Sequence, residues 1–329
     1  MPHDLPLPLP LAVGKPALVI AFLVHIVFVN LMLGGTVLAL HAHFLGQKRP
    51  CFERLAGELM TTVTVHKSLA VVLGVGPLLL LSVVYTVPFY TSSALIAPAW
   101  LSVLWLVTLS FSLLYAYKYG WSGWKGRHPR WHIATGVSGL LVLLCVPLIY
   151  LTNTQLMLDP AAMAGRPSFF RALWEVGNVI PRYFHFLLAS LAVAGLWVMG
   201  WWGRERSDWS AEDRVSLMRF GGYWAIFATA LQFVAGPVVL FTLPRGALTG
   251  LAVAFLALGV LTGLGAIFLL LDTVRGKDRY AWSVFLIATT VVCMGTTRHL
   301  IRESLLELRL SQDIGRTAVY PAAWAHFRG

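Results

Sequence analysis

Long apolar runs alternate with short polar stretches along the whole chain. Eight of the runs are close to the roughly 20 residues that a helix needs to cross the hydrocarbon core of a bilayer. They predict spanning helices at about 16–41, 62–88, 94–117, 132–155, 179–202, 217–243, 247–272 and 280–301. Pro88, Pro244 and the glycines of 120–126 punctuate the ends, and Tyr, Trp and Arg cluster at several boundaries, as interfacial anchors do. The fold class this predicts is all-α, a polytopic membrane protein of about eight spans.

The runs repeat. His25 sits inside the apolar stretch 17–40, and His185 lies 160 residues later. The same offset carries Gly34-Gly35 onto Ala194-Gly195 and Gly76-Pro77 onto Gly236-Pro237. Three matches at one spacing indicate an internal duplication. The chain therefore divides into a first four-helix unit (1–158), an outer interfacial loop (159–178), a second four-helix unit (179–303) and a C-terminal tail (304–329). In the loop, Phe169, Phe170, Leu173, Trp174 and Val176 suit either a short interfacial helix or a plain lid over the bundle.

Composition sharpens this picture. Of 329 residues, 58% are hydrophobic and only 12% charged, too few charges for a soluble fold of this length. The net charge of +11 does not point to nucleic acid once it is mapped onto loops. Connections after the first, third, fifth and seventh spans hold fourteen Lys and Arg, and the opposite side before the tail holds five. The basic side is then cytoplasmic, with both termini outside. The tail carries Arg298, Arg302, Arg309, Arg316 and Arg328 against that trend; it is read as translocated, docking a partner or binding carboxylates. Residues 1–15 lack the basic start and cleavage pattern of a signal peptide, so the first run is expected to be retained. Cys51, Cys145 and Cys293 are scattered, and no Cys-x-x-Cys-His occurs, so no c-type haem is attached to the chain itself.

The candidate chemistry lies in imidazoles. A polar side chain inside a span is costly unless paired or ligated. His25, His185 and, near the end of the last span, Met294 and His299 all fall toward the outer side. Axial haem ligands must share a depth in an apolar cleft, and these residues meet that condition. His25 and His185, at matching height, would have the iron porphyrin between them. Met294 and His299 are five residues apart and so diverge by about 140° on a helix; they would serve different irons, or only one would face the core. Arg182, one turn outward of His185, and Arg298, Arg302 and Arg245 suit carboxylates at the membrane edge or simply reach for headgroups. His66, next to Lys67 and entering from the cytoplasmic side, is open between haem ligand, quinone-headgroup site and wet interfacial residue. His41, His43, His128 and His132 read as interfacial. No span holds a clearly central Asp or Glu, which argues against a carrier with an acidic proton relay.

The first span, with His25 followed by Phe28, Leu31 and Gly34, resembles the first helix of subunit I of cytochrome bd quinol oxidase. His185 resembles the haem-ligating His of that family's fifth helix, and 69–76 resembles its Ala/Gly-rich second helix. The resemblance implies an external N-terminus, two four-helix units, haems toward the outer face, and the bacterial inner membrane. The departures matter. The third span has no acid, Pro244-Arg245-Gly246 replaces the family's long quinol loop, and the seventh span has no Met. What the resemblance implies is then a haem b membrane subunit of a respiratory complex, moving electrons between the quinone pool and a periplasmic partner such as a c-type cytochrome. His25, His185 and His299 would be the axial ligands, Met294 the reserve, and Arg182 and Arg298 the propionate partners. A divergent terminal quinol oxidase and a non-redox anchor or carrier are the competing expectations.

Overall fold

In a computed structural model, residues 10–203 and 208–313 are described, with side chains to 308. The side chains of Arg204, Arg206, Arg309, Arg316 and Arg328, and the tail beyond 313, lie outside them. The described chain contains eleven helices: α1 (Leu11–Gly46), α2 (Pro50–Val84), α3 (Thr86–Leu95), α4 (Ala97–Arg127), α5 (Pro129–Leu156), α6 (Pro160–Ala164), α7 (Phe169–Glu175), α8 (Val179–Gly203), α9 (Ala211–Phe241), α10 (Gly250–Val274) and α11 (Tyr280–Asp313). Eight of them, all but α3, α6 and α7, are long and apolar enough to cross a membrane. A lipid environment offers the backbone no partner, so each span satisfies its own amides as a helix.

Several helices run further than the apolar runs predict. The second starts at Pro50, not near 62, and stops at Val84, with α3 as a separate piece. The reason is an amphipathic first stretch. Phe52, Leu55, Ala56 and Leu59 share one helical face and are buried, and Glu53 lies against Gly46 of α1. A search for continuous hydrophobicity passes over such a segment. Likewise α11 continues to Asp313 and carries the start of the expected tail as helix. The loop 159–178 contains two short helices, capped by Asp159 and Ser168. In α7, Ala172 and Leu173 are buried, Phe170 and Trp174 point outward, and Arg171 pairs with Glu175 at 2.7 Å. The tight connections before α10 and before α11 use Gly246 at φ 84° and Gly276 at φ 95°, a backbone region that favours glycine.

Consecutive spans pack as hairpins, α1 with α2, α4 with α5, α8 with α9 and α10 with α11. The halves join where α1 meets α8. There Asn30 and Ser190, 160 residues apart, meet side chain to side chain at 2.9 Å. Gly34 lies against the Ser190 carbonyl and Ala194. Residues at the repeat offset touch each other, as they do across a two-fold axis. The cross-contacts agree: α11 packs on α1, and α5, its counterpart, packs on α8. Pro77 in α2 and Pro237 in α9 interrupt the ladder at matching places. The upper end of the bundle is the one at which α1 begins and α11 finishes; the lower end carries the basic connections.

Candidate cofactor sites in the upper half of the bundle

The α1–α8 contact decides where the two repeated imidazoles point. Asn30 faces α8, and His25 is five residues earlier, about 140° around the helix. His25 therefore turns to α2. Its Cε1 and Nδ1 lie 2.9 and 3.2 Å from where a Cβ on Gly74 would stand, and the Ala70 carbonyl is within hydrogen-bonding reach of the ring. His185 turns to α9, with Cε1 3.8 Å from the corresponding point on Gly236. The two rings flank the α1–α8 pair and do not face each other across it. One porphyrin held between them is not what this geometry offers, and that expectation is corrected: each copy presents its own imidazole, resting on its own glycine. Both Nδ1 atoms are buried and have no partner. At His25 a bond from the other ring nitrogen to Ala70 would fix the tautomer, as the outer hydrogen bond of a metal-ligating His does.

The divergence of Met294 and His299 is visible directly. Met294 packs its thioether on Gly259 of α10. His299 turns to α1 and, with Leu18, Val19, Phe22, Gly295, Arg298 and Arg302, lines a cavity of about 10 Å³, room for roughly one water. Its Nδ1 is also buried and unpartnered. Arg298 lies with Cζ 4.4 Å from the Phe22 ring centre. Arg182, from α8, donates through Nε to Asn178, whose amide in turn holds the Val239 carbonyl and the Thr242 hydroxyl of α9 at 2.9 and 2.6 Å. Arg182, Arg298 and Arg302 are close enough that each pair repels. Arg245, by contrast, is exposed on the α9–α10 connection.

His66 is at the middle of α2, not at its entrance, because that helix starts twelve residues earlier than predicted, at Pro50. Its ring packs on Trp197 of α8 at 4.8 Å and Phe28 of α1 at 6.1 Å, with Nδ1 buried and unpartnered. The wet interfacial option for His66 is thereby removed. It is removed for His43 and His132 too, which are 7% and 0% exposed. These two meet Tyr117 and Trp121 of α4: Tyr117 Oη is 2.6 Å from His43 Nδ1, and His132 Nε2 is 2.7 Å from the Tyr117 carbonyl. His41 accepts from Trp224 Nε1 at 3.0 Å. Three further residues gain their interest only from packing. Lys67 is 1% exposed, and its ammonium sits 3.1 Å from the Tyr115 ring centre and 4.5 Å from that of Phe111. Tyr117 is fully buried. Arg302 joins the upper arginines with Nη1 buried and unpartnered.

Haem fits this donor set. Among the described residues no three or more His, Cys, Asp or Glu gather to hold a bare metal ion, whereas an iron porphyrin brings its own equatorial nitrogens and asks for one or two imidazoles and cations at its carboxylates. Unpartnered buried nitrogens on His25, His185, His66 and His299 supply the first, with a fifth on His132 inside the lower aromatic cluster; the clustered arginines supply the second.

No protein-family model matches the chain, and no curated protein sequence does either.

Proposed function

We propose that this chain is the haem b-carrying membrane subunit of a respiratory complex, related to subunit I of cytochrome bd oxidase. In this reading it passes electrons between the quinone pool and a periplasmic partner of the c-type cytochrome kind. One observation carries it: a duplicated helical unit keeps, in each copy, an imidazole inside the apolar span, on a neighbouring helix's glycine, with a buried nitrogen that nothing in the chain satisfies. Such a group is costly in a bilayer and is retained where it ligates.

The chain's residues then divide the work. His25 and His185 each hold an iron by one nitrogen, His299 is a further ligand at the upper end, and Met294, turned to α10, drops out of their set. Gly74 and Gly236 leave the width that a side chain would fill. Arg182 and Arg298 neutralise carboxylates at the upper edge. His66, enclosed by Trp197 and Phe28, stands between the two units as a ligand or a quinone contact. A bound b haem supplies reversible one-electron transfer. The basic lower connections orient the chain in a bacterial inner membrane with the haem side periplasmic.

The deciding experiment is a pyridine haemochrome on the purified, haem-supplied chain, with dithionite-reduced spectra. The expected result is protohaem at one or more per chain. A clean spectrum without porphyrin removes the proposal. Oxygen consumption with a quinol donor then tests the oxidase alternative, which requires turnover; electron transfer to a soluble acceptor without oxygen uptake supports the electron-transfer role.

A further inference from the structure

We infer that the outward face of α4, with Lys67 of α2 behind it, docks a spanning helix of another membrane subunit, and that this helix carries an Asp or Glu in its apolar stretch to meet the lysine. The inference rests on the reading above only in taking the chain as one subunit of a complex.

Lys67 has a charge and nothing to balance it. Its ammonium has three protons to donate, is buried, and finds no acceptor among the described residues. The rings of Tyr115 and Phe111 lie over it; an aromatic face attracts a cation and leaves its charge uncancelled. No carboxylate of the chain is at hand. Between residues 10 and 158 the sequence has two, Glu53 and Glu58, both near the lower end of α2. Glu53 is held by Lys125, and Glu58 by Arg54 at 2.9 Å and Trp202 Nε1 at 2.8 Å. Glu58 is nine residues before Lys67, about 14 Å along the helix. Lys118 adds a second cation, its Nζ 3.0 Å from the hydroxyl of Thr64, three residues before Lys67. An unpaired charge inside a span is costly and is kept where something meets it.

The face in front of Lys67 has the spacing of a helix seam. Leu101, Trp105, Thr108, Ser112, Tyr115 and Tyr119 are all exposed and follow one another at intervals of 4, 3, 4, 3 and 4, the repeat by which two helices lie along each other. Thr108 and Ser112 give their hydroxyls to their own helix at 2.8 Å, so the middle of the seam is small and lets another backbone come close. Among the eight spans α4 buries the smallest share of its apolar stretch, 11%. Tyr115 belongs to both features. It is a member of the seam and the cover over Lys67, so a docking helix that turns this ring aside uncovers the ammonium.

A lipid phosphate is the other source of negative charge. It stays at headgroup depth, which Lys118, just past the apolar run 94–117, can reach. Lys67 is five residues inside the run that begins at 62, and a carboxylate on a spanning helix can be presented at that depth. A second copy of this chain does not qualify, because its acids lie toward the ends of its spans.

The test keeps the full chain in its native membranes. A benzophenone amino acid replaces Tyr119 or Trp105, and Phe268 on α10, as exposed as Tyr119, serves as the control. Light should link positions 119 and 105, but not 268, to one protein, and the linked peptide should be an apolar span containing an Asp or Glu. Lys67→Met keeps the length and drops the charge. It should lower the adduct about tenfold or more, while the purified chain melts no lower than wild type. If that variant unfolds, a pair of charge reversals decides: Lys67→Glu should also lose the adduct, and replacing the partner's acid by Lys should restore it. Adducts alike at all three positions, a linked span without an acid, or an adduct indifferent to Lys67 would overturn the inference. So would an adduct of phosphorus and acyl chains without protein, which gives the site to an anionic lipid. Haem content is read on the same membranes, so a chain that links without haem is told apart from one that holds haem without linking.

Discussion

His43 and His132 at the lower end share a residue type with His25 and His185 in the upper half, but the lower rings are buried, the upper ones half-buried, and their surroundings differ in kind. The lower pair is wrapped. Tyr117 offers its hydroxyl to one ring and its carbonyl to the other, and Trp121 packs on both at 4.8 and 5.1 Å. Glycine on neighbouring turns makes room for these rings, as Gly74 does for His25: a Cβ at Gly136 would meet Tyr117, and one at Gly120 would meet His132. The upper pair has a glycine each and an idle nitrogen each. At the lower site His132 Nδ1 is also buried without a partner, so what sets that site apart is the enclosure of its rings by Tyr117 and Trp121. The contrast shows that neither burial nor an unpartnered nitrogen alone marks a ligand, because His132 has both inside an aromatic cluster.

The sharpest way to break this comparison is to delete the imidazoles one pair at a time. His25→Ala and His185→Ala should each remove a share of the reduced-haem absorbance, and together all of it apart from any part held by His299 or His66. His43→Ala should leave the spectrum as it is and lower the melting temperature. A spectrum that survives the double variant, or that collapses with His43→Ala, reverses the assignment of the two regions.

The next effect concerns the seam between the repeats. Gly34 and Ala194 occupy equivalent places, yet a Cβ at 34 would strike the Ser190 carbonyl. Gly34→Leu should cost several kcal/mol, above the ~1–3 kcal/mol typical of an overpacked core, and show as aggregation or a large loss in thermal stability. Ala194→Gly, the reverse change at the equivalent site, should cost no more than about 1 kcal/mol, the usual helix penalty for glycine. Equal losses at both positions would mean that the seam is not as close as described.

Much of the architecture is legible in the sequence, and what is not has identifiable causes. Spans follow from apolar length, and the duplication from the 160-residue offset shared by His25 and His185. The Asn30–Ser190 contact is hidden because the two residues differ, although their spacing is the same. The divergence of Met294 from His299 follows from helix geometry alone. The same geometry turns His25 away from α8 once the α1–α8 face is known, and only packing supplies that face. His43, His66 and His132 are misplaced for one reason. Depth counted from the ends of apolar runs ignores that α2 begins at Pro50, which puts His66 at mid-helix against Trp197 and Phe28, and that α4 runs on to Arg127, which brings Trp121 beside His43 and His132. In the sequence Arg302 is one of several edge arginines; what singles it out, an unpartnered Nη1 beside two other guanidinium groups, is a property of packing.

A smaller change isolates the lower site. Tyr117→Phe keeps the ring stack on His132 and removes only the hydroxyl that pairs with His43 at 2.6 Å. Leaving a buried imidazole nitrogen unsatisfied costs about 1–3 kcal/mol. Thermal unfolding in detergent should register that loss with the haem spectrum unchanged. A spectral shift would show that the lower cluster is coupled to the upper sites and is not merely structural.

The smallest expected effect bears most directly on the symmetry itself. Asn30 Oδ1 and the Ser190 hydroxyl are both buried at the seam and 2.9 Å apart. Polar pairs between membrane helices are worth only about 0.6 kcal/mol on average, because the separated helices find other partners. A double-mutant cycle with Asn30→Ala and Ser190→Ala, read by reversible unfolding in mixed micelles, should therefore give a coupling near that figure. The Ser190 hydroxyl also reaches the Phe186 carbonyl at 3.0 Å, so Ser190→Ala alone should cost less than Asn30→Ala, which strands an amide side chain's worth of packing. A coupling indistinguishable from zero would mean that the two side chains do not meet. The repeat would then be a duplication in sequence without an axis in space, and the orientation of His25 and His185 toward separate partners would lose its anchor.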